Sequence, residues 1–389
     1  MPDIPSKERL IALREFFTKR QPAMLSFMRT LIETESPSGD AAGSCAVAGM
    51  LADAARSITG VDTVERIPAN DFGEHLRIRA FGSDTDTPPI VLIGHTDTVH
   101  PRGSIQLQPW REEANRIYGP GIFDMKSNCA LALELLSGLA TLDATRWRPI
   151  TVLLTCDEES GSPSGRALVE EEARHARAVL VLEPSAAGGR AKTARKGTGM
   201  FTIEVHGRAA HAGLDPEKGV NAVLELARQT IHLSELNDPA NGTNVTVTIF
   251  NGGTVSNVVP ACATAEVDMR FTSMDVGATV EHEVLNIKPF DARAQLNVTG
   301  GINRPPLERT DKVIELYQRA RAIAALLNFD FGEASVGGGS DGNFAAALGV
   351  PVLDGLGIEG DGAHADHEHI LVDNIATRAA MLSGLISSL

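Results

Sequence analysis

Basic residues are in short supply in this chain. Lysine and arginine total 35 against 50 aspartates and glutamates, and the formal net charge is −15. A field of that sign repels phosphate backbones and anionic lipid surfaces, so neither nucleic acid nor a membrane is an expected partner. No apolar run approaches the roughly 20 residues that a bilayer span needs. Cysteine is sparse too: Cys45, Cys129, Cys156 and Cys262 are scattered and form no CxxC pair. That argues against a disulfide framework and for reduced thiols in a cytoplasmic protein. The opening MPDIPSKERLIALREFFTKRQ carries charge throughout and lacks the apolar core of a secretory signal. What is present is ordinary globular composition, 43% hydrophobic and 22% charged, which excludes a disordered chain, a collagen or a coiled coil. A length of 389 residues suggests two or three domains.

The hydrophobic pattern changes character along the chain. Residues 7–35 place Leu10, Leu13, Phe16, Phe17, Met24, Leu25, Met28 and Leu31 at helical spacing, and Pro22 predicts a break into two helices. A helix is expected over 41–56, a strand at 75–81 and a helix over 125–140. The runs beginning at Pro89, Pro149 and Ala178 are continuously apolar, as strands buried on both faces are. Strands alternating with helices predict an α/β layer around a central sheet. From about residue 196 the period changes to two. Strands at 199–207, 244–253, 263–272 and 294–299 are expected, with helices over 219–236 and 275–288. That order is β-α-β-β-α-β, the ferredoxin-like split unit. The α/β pattern then resumes with a helix over 311–328 and a buried strand starting at Val350. The reading is therefore α/β: a domain of residues 1–194 and 304–389 interrupted by an inserted ferredoxin-like domain of residues 195–303.

Ligands in open α/β sheets bind beyond the carboxyl ends of the strands, and the chemically capable residues gather there. His95 and Asp97 follow one strand; Asp157, Glu158 and Glu159 end a second; Glu183 ends a third. Asp124 lies in the loop GPGIFDMKS, and His364 in a glycine-rich loop after the last strand. Singly, each is compatible with a solvated turn or a helix cap. Jointly, two imidazoles and several carboxylates suit zinc, manganese or cobalt.

The segments GHTDTV (94–99), GPGIFDMKS (119–127), TCDEESGSPSGR (155–166), LEPS (182–185) and GAHADHEHI (362–370) occur in that order. With GRAAHAGLDPEKGVNAV (207–223), GGTVSNVVPACATAEVDMRF (252–271), NRPPLER (303–309) and GGGSDGNFAAALGVP (337–351), they resemble the M20 family of metallopeptidases and amidohydrolases. The likeness spans about residues 90–375 and points most to the glutamate carboxypeptidase branch. The resemblance implies a catalytic domain with a central mixed sheet and two zinc ions, for which cobalt or manganese can substitute. It implies His95 and Glu183 on one ion, Glu159 and His364 on the other, and Asp124 bridging both. Asp97 would orient His95, and Glu158 would be the general base. The inserted domain would form a homodimer and supply His211 and Asn257, and Arg304 with Gly338, Gly339 and Ser340 would bind the substrate's carboxylate. The substrate implied is a small peptide or an N-acyl amino acid. The expected activity is cleavage of the amide to a C-terminal amino acid, with N-acyl-amino-acid deacylation as the alternative and an inert metal-binding scaffold dimer as the reading from another class. The tail departs from the common pattern in carrying His367 and His369 as well. His364 is preferred as the ligand for its Gly-Ala lead and its spacing to Glu368.

Overall fold

A computed structural model describes residues 4–82, 87–141 and 148–389. The chain divides into two compact units, one of Met1–Ala194, Arg309–Val336 and Ser340–Leu389, the other of Arg195–Glu308 and Gly337–Gly339.

The first unit is built on a six-stranded sheet. Across it lie Val61–Pro68, Glu74–Ala80, Ile150–Thr155, Ile90–His95, Ala178–Val181 and Val352–Leu353. The first two pairings are antiparallel and the other three parallel, so the sheet is mixed. The apolar runs are its inner strands: every residue of Ile90–His95, Ile150–Thr155 and Ala178–Val181 is buried. A strand covered on both faces has no polar side to alternate with, hence the unbroken hydrophobicity. Val61–Pro68 went unanticipated because it is an edge strand whose VDTVERIP sequence is half solvated.

The predicted break at Pro22 does not occur. One helix runs from Lys7 to Glu33 with Pro22 inside it, and buries Leu10, Leu13, Phe17, Met24, Met28, Leu31 and Ile32. Proline inside a helix costs about 3 kcal/mol. Burying each large apolar side chain is worth roughly 1.5–3 kcal/mol, so the continuous apolar face outweighs the lost hydrogen bond. The face packs on helices Ser127–Thr141 and Ile375–Ser387. Among the described residues, no helix is long and apolar enough to cross a membrane.

The second unit has the order β-α-β-β-α-β. Its strands lie as Asn244–Gly252, Cys262–Phe271, Gly197–His206 and Gln295–Arg304, all antiparallel. Helices Ala222–Ser234 and Met274–Leu285 supply Leu226, Leu233, Val280 and Val284 to a core with Phe201, Ile203, Val205, Val267, Met269 and Phe271. Asn244–Gly252 is an edge strand with an irregularity between Val247 and Ile249. Backbone bonds in both directions, 2.9 and 3.0 Å, join Arg195 to Leu307 near the two ends of the segment.

Candidate metal centre

Because Ile90–His95, Ile150–Thr155 and Ala178–Val181 are parallel, their carboxyl ends share one edge of the sheet. The chain leaves that edge as His95-Thr96-Asp97, as Cys156-Asp157-Glu158-Glu159 and as Leu182-Glu183. Thr96 donates to the Thr155 carbonyl at 2.8 Å, and the Ser36 hydroxyl to the Thr96 carbonyl at 2.6 Å, so the turn after His95 is pinned on both sides.

Asp124 is the geometric centre of the cluster. Its Oδ1 lies 3.1 Å from His95 Nε2, and its Oδ2 lies 3.4 Å from His364 Nε2. One carboxylate thus turns its two oxygens to two imidazoles. Glu183 Oε1 is 3.4 Å from His95 Nε2, and Glu159 Oε1 is 3.3 Å from His364 Nε2. Ligand atoms of His95, Glu158 and Glu183 lie within 4.8 Å of one another, as do those of His95, Asp124 and Glu159. Glu158 is therefore close enough to the first of these groups to compete as a ligand. His364 sits in a left-handed backbone conformation, φ 63°, which a β-carbon makes costly and which often marks functional sites.

The electrostatics follow from crowding. His95 is fully buried; burial opposes its charge, yet hydrogen bonds to Asp124, Asp97 and Glu183 hold its pKa well above the ordinary histidine value. His364 is pushed up to about 10 by hydrogen bonds with Asp124 and Glu159. Burial works against ionised Asp124, but the two imidazoles hold its carboxyl far below the usual range. Burial pushes Glu159 up. A site with this excess of carboxylates over imidazoles, all turned inward, fits divalent cations, and the mixture of nitrogen and oxygen donors fits zinc, manganese or cobalt.

Asp97 holds two parts of the cluster together. Its backbone carbonyl accepts from His95 Nδ1 at 2.9 Å, which leaves Nε2 facing Asp124 and Glu183. Its carboxylate accepts the Ser38 hydroxyl at 2.6 Å and the backbone N–H groups of Glu158 and Glu159 at 3.2 and 3.1 Å. Asp157 is buried and lies beneath the turn, where its Oδ2 accepts from Ser164 N and Oγ, each at 2.6 Å, and from Gly165 N at 3.0 Å. Lys126 is buried as well. Desolvation pushes its ammonium down to about 8, and it donates to the carbonyls of Leu31 and Thr34 at 3.3 and 2.7 Å. Sequence reasoning passed over Ser38, His100 and Lys126, whose partners lie far away along the chain. Of the extra histidines in the tail, His367 is exposed. His369 is buried in the strand His369–Leu371 with its ring 5.1 Å from that of Tyr118.

The remaining predicted residues belong mostly to the second unit. His211 is exposed, and its Nδ1 accepts from Gly213 N and Leu214 N, each at 3.1 Å. In the neutral ring the proton is thereby directed to Nε2. Asn257 lies on the adjoining segment, its carbonyl accepting from Ala212 N at 2.9 Å. Arg304 is buried, with Nη1 donating to Asn303 Oδ1 at 3.0 Å. The carbonyls of Gly338 and Gly339 accept from Arg195 Nη1 at 3.1 and 2.9 Å. In the first unit Ser340 is fully buried. Its N–H donates to Asn343 at 3.0 Å and its hydroxyl to Asp354 at 2.6 Å, so both donors are engaged internally.

A carboxylate-and-imidazole cage at the carboxyl ends of a mixed sheet is the construction of a metal-dependent hydrolase. The sequence profile of peptidase family M20/M25/M40 matches residues 91–388. Carboxypeptidase G2 of Pseudomonas sp. (strain RS-16) is 32% identical over 387 residues, covering 96% of this chain and 90% of that protein. The chain therefore belongs to the M20/M25/M40 peptidase family and is a hydrolase of peptide or amide bonds. A succinyl-diaminopimelate desuccinylase of Thioalkalivibrio sulfidiphilus (strain HL-EbGR7) is 26% identical, covering 78% of this chain and 85% of that one. Among solved structures, the YXEP protein of Bacillus subtilis, described as a dinuclear metal-binding M20 peptidase, aligns with a TM-score of 0.65 at 16% identity. It covers 96% of this chain and 98% of that one.

Proposed function

We propose that the protein is a di-zinc hydrolase that cleaves the amide bond to a C-terminal amino acid, in the manner of a glutamate carboxypeptidase. One observation carries the reading: Asp124 presents one oxygen to His95 and the other to His364, as a carboxylate bridging two cations must. His95 and Glu183 would hold one ion, and Glu159 and His364 the second. Bound ions would supply Lewis-acid polarisation of a carbonyl and acidify a water. Glu158 takes the proton of the attacking water and returns it to the leaving amine. Asp97 fixes the His95 tautomer. His211 offers Nε2–H to the developing oxyanion, with Asn257 assisting. Arg304 grips the substrate carboxylate with its planar fork, aided by the Gly339 backbone. Ser340 supports that loop from within.

The second unit is proposed as the dimerisation element. Leu224 and Ile231 on its first helix are 49% and 65% exposed, and Ile249 and Phe250 on its edge strand 52% and 41%. An unpaired edge beside apolar side chains invites a symmetric partner. A reducing, cytoplasmic setting is part of the same reading, supported by four free cysteines. Deacylation of an N-acyl amino acid is the second reading, favoured by the desuccinylase among the relatives.

The test is amine release by chelator-stripped, zinc-refilled protein from a panel of glutamate-ended dipeptides and N-acyl amino acids. Zinc-dependent turnover dominated by one C-terminal residue supports the carboxypeptidase reading. Turnover governed by the acyl group instead supports the deacylase. Two bound zinc ions with no turnover on either set overturns both.

A further inference from the structure

Glu368 is 1% exposed, and the proposed chemistry gives it no task. A buried carboxylate is costly unless its lone pairs are met, and here they are met four times. Oε1 accepts from the backbone N–H groups of Phe123 and Asp124 at 2.7 and 2.9 Å. Oε2 accepts from Gly121 N at 2.8 Å and lies 2.6 Å from His100 Nε2. These partners belong to two different strand-end segments. His100 follows His95 by five residues, and the three amides belong to the loop that carries Asp124. Glu368 itself ends the turn that begins at His364, its N–H donating to the Ala365 carbonyl at 3.1 Å.

We propose that Glu368 is a positioning residue for the metal pair: its carboxylate fixes the Asp124 amide against the His364 turn and the segment following His95, and so sets where the Asp124 oxygens point. The inference rests on the reading of Asp124 as a bridging ligand. A backbone amide that shifts carries its side chain with it, and a ligand displaced by a few tenths of an ångström binds more weakly. Groups that orient metal ligands typically change affinity 10–100-fold when removed. Glutamine at this position retains the size of glutamate but substitutes an NH2 for one oxygen. That NH2 must face either the Gly121 amide and His100 or the amides of Phe123 and Asp124. At least one backbone donor then opposes a donor, and the loop moves.

The experiment compares wild type, Glu368→Gln and His100→Ala as full chains. Each is stripped of metal and titrated with zinc in competition with a chromophoric chelator. Cobalt refilling reads the coordination by its visible absorption, and melting of the metal-free proteins reads the fold. In support, wild type binds two zinc ions, and Glu368→Gln loses 10–100-fold in affinity for at least one with an altered cobalt spectrum. His100→Ala, which leaves three of the four contacts, loses less. If Glu368→Gln melts lower without metal but binds zinc as wild type does, the residue is a structural staple and the proposal fails. Should Glu368→Gln not fold, His100→Ala decides: unchanged zinc affinity and an unchanged cobalt spectrum overturn the proposal. A wild type that binds no zinc pair overturns the bridging reading and this inference with it, whereas a normal wild type beside a normal Glu368→Gln overturns the inference alone.

Discussion

Without a metal ion the proposed centre leaves two imidazoles inside a ring of carboxylates, and each then keeps a proton that a bound zinc ion would have to displace. His364 has its pKa pushed up to about 10 by hydrogen bonds with Asp124 and Glu159. His95 also stands well above the ordinary value, with its hydrogen bonds to Asp124, Asp97 and Glu183 prevailing over burial. Asp124 is held far below the usual range and contributes no proton. Loading both sites at pH 7.5 should therefore release about two protons, and apparent affinity should rise ~10-fold per pH unit for each imidazole, about 1.4 kcal/mol. In the metal-free fold the His364 contribution runs in the opposite direction, while Lys126, pushed down to about 8 by burial, adds stability as pH rises above that value. His364 has a folded pKa above its unfolded value, so its contribution to stability is complete below about pH 6.5 and is lost as pH rises toward about 10. Its side chain is 53% exposed, so solvent screening reduces that contribution to a small fraction of the nominal value. Calorimetric titration with zinc in buffers of different ionisation enthalpy counts the protons, and melts of metal-free and loaded protein at pH 6.5, 8 and 9.5 give the two slopes. Zero proton release, or a gap between loaded and metal-free stability that does not widen as pH rises from 6.5 to 9.5, would refute the argument.

Other expectations are simpler to check. Glu158→Gln should lower kcat by ~10²–10⁴ with both zinc ions retained; loss of an ion in metal analysis would instead make Glu158 a ligand. Gly94→Ala places a Cβ 2.3 Å from Met125 Cε in the strand that carries His95, and should cost about 1–3 kcal/mol of stability in denaturant melts. Arg304→Lys should raise KM by roughly 10–100-fold, from the 1.5–3 kcal/mol of a charged hydrogen bond, with a smaller effect on kcat in steady-state assays. If the second unit dimerises as proposed, the double change Ile231→Asp and Phe250→Asp should give a monomer of half the wild-type mass by light scattering.

The sequence was most informative where a single strand told its own story. The apolar runs at 90–95, 150–155 and 178–181 are buried on both faces, and the polar residues that interrupt them, His95, Asp157 to Glu159 and Glu183, stand out for that reason. The alternation after residue 196 was equally local. Pro22 misled because a proline's cost is visible in sequence and the tertiary burial that outweighs it is not. The strand Val61–Pro68 is part exposed and part half-buried along its length, with no fully buried residue and no apolar run. Glu368 is the clearest case of an illegible role: its side-chain partners Gly121, Phe123 and Asp124 lie 244–247 residues away in the chain, and contacts of that span leave no periodic mark. Asp97 was legible as a neighbour of His95, but not as the acceptor for the Glu158 and Glu159 amides.

The paired backbone bonds between Arg195 and Leu307 make the whole intervening segment a module with a narrow doorway. The chain enters and leaves it through two segments joined side by side at that bridge. Removing residues 197–305 and joining the ends with a short turn asks the remaining chain to close only a small gap, and closure entropy depends weakly on what was excised. Insertions tolerate exchange where their ends are adjacent. The segment is thus a natural point of recombination: a different domain, or only a turn, can be grafted at the same two positions without rethreading the sheet that holds the metal centre.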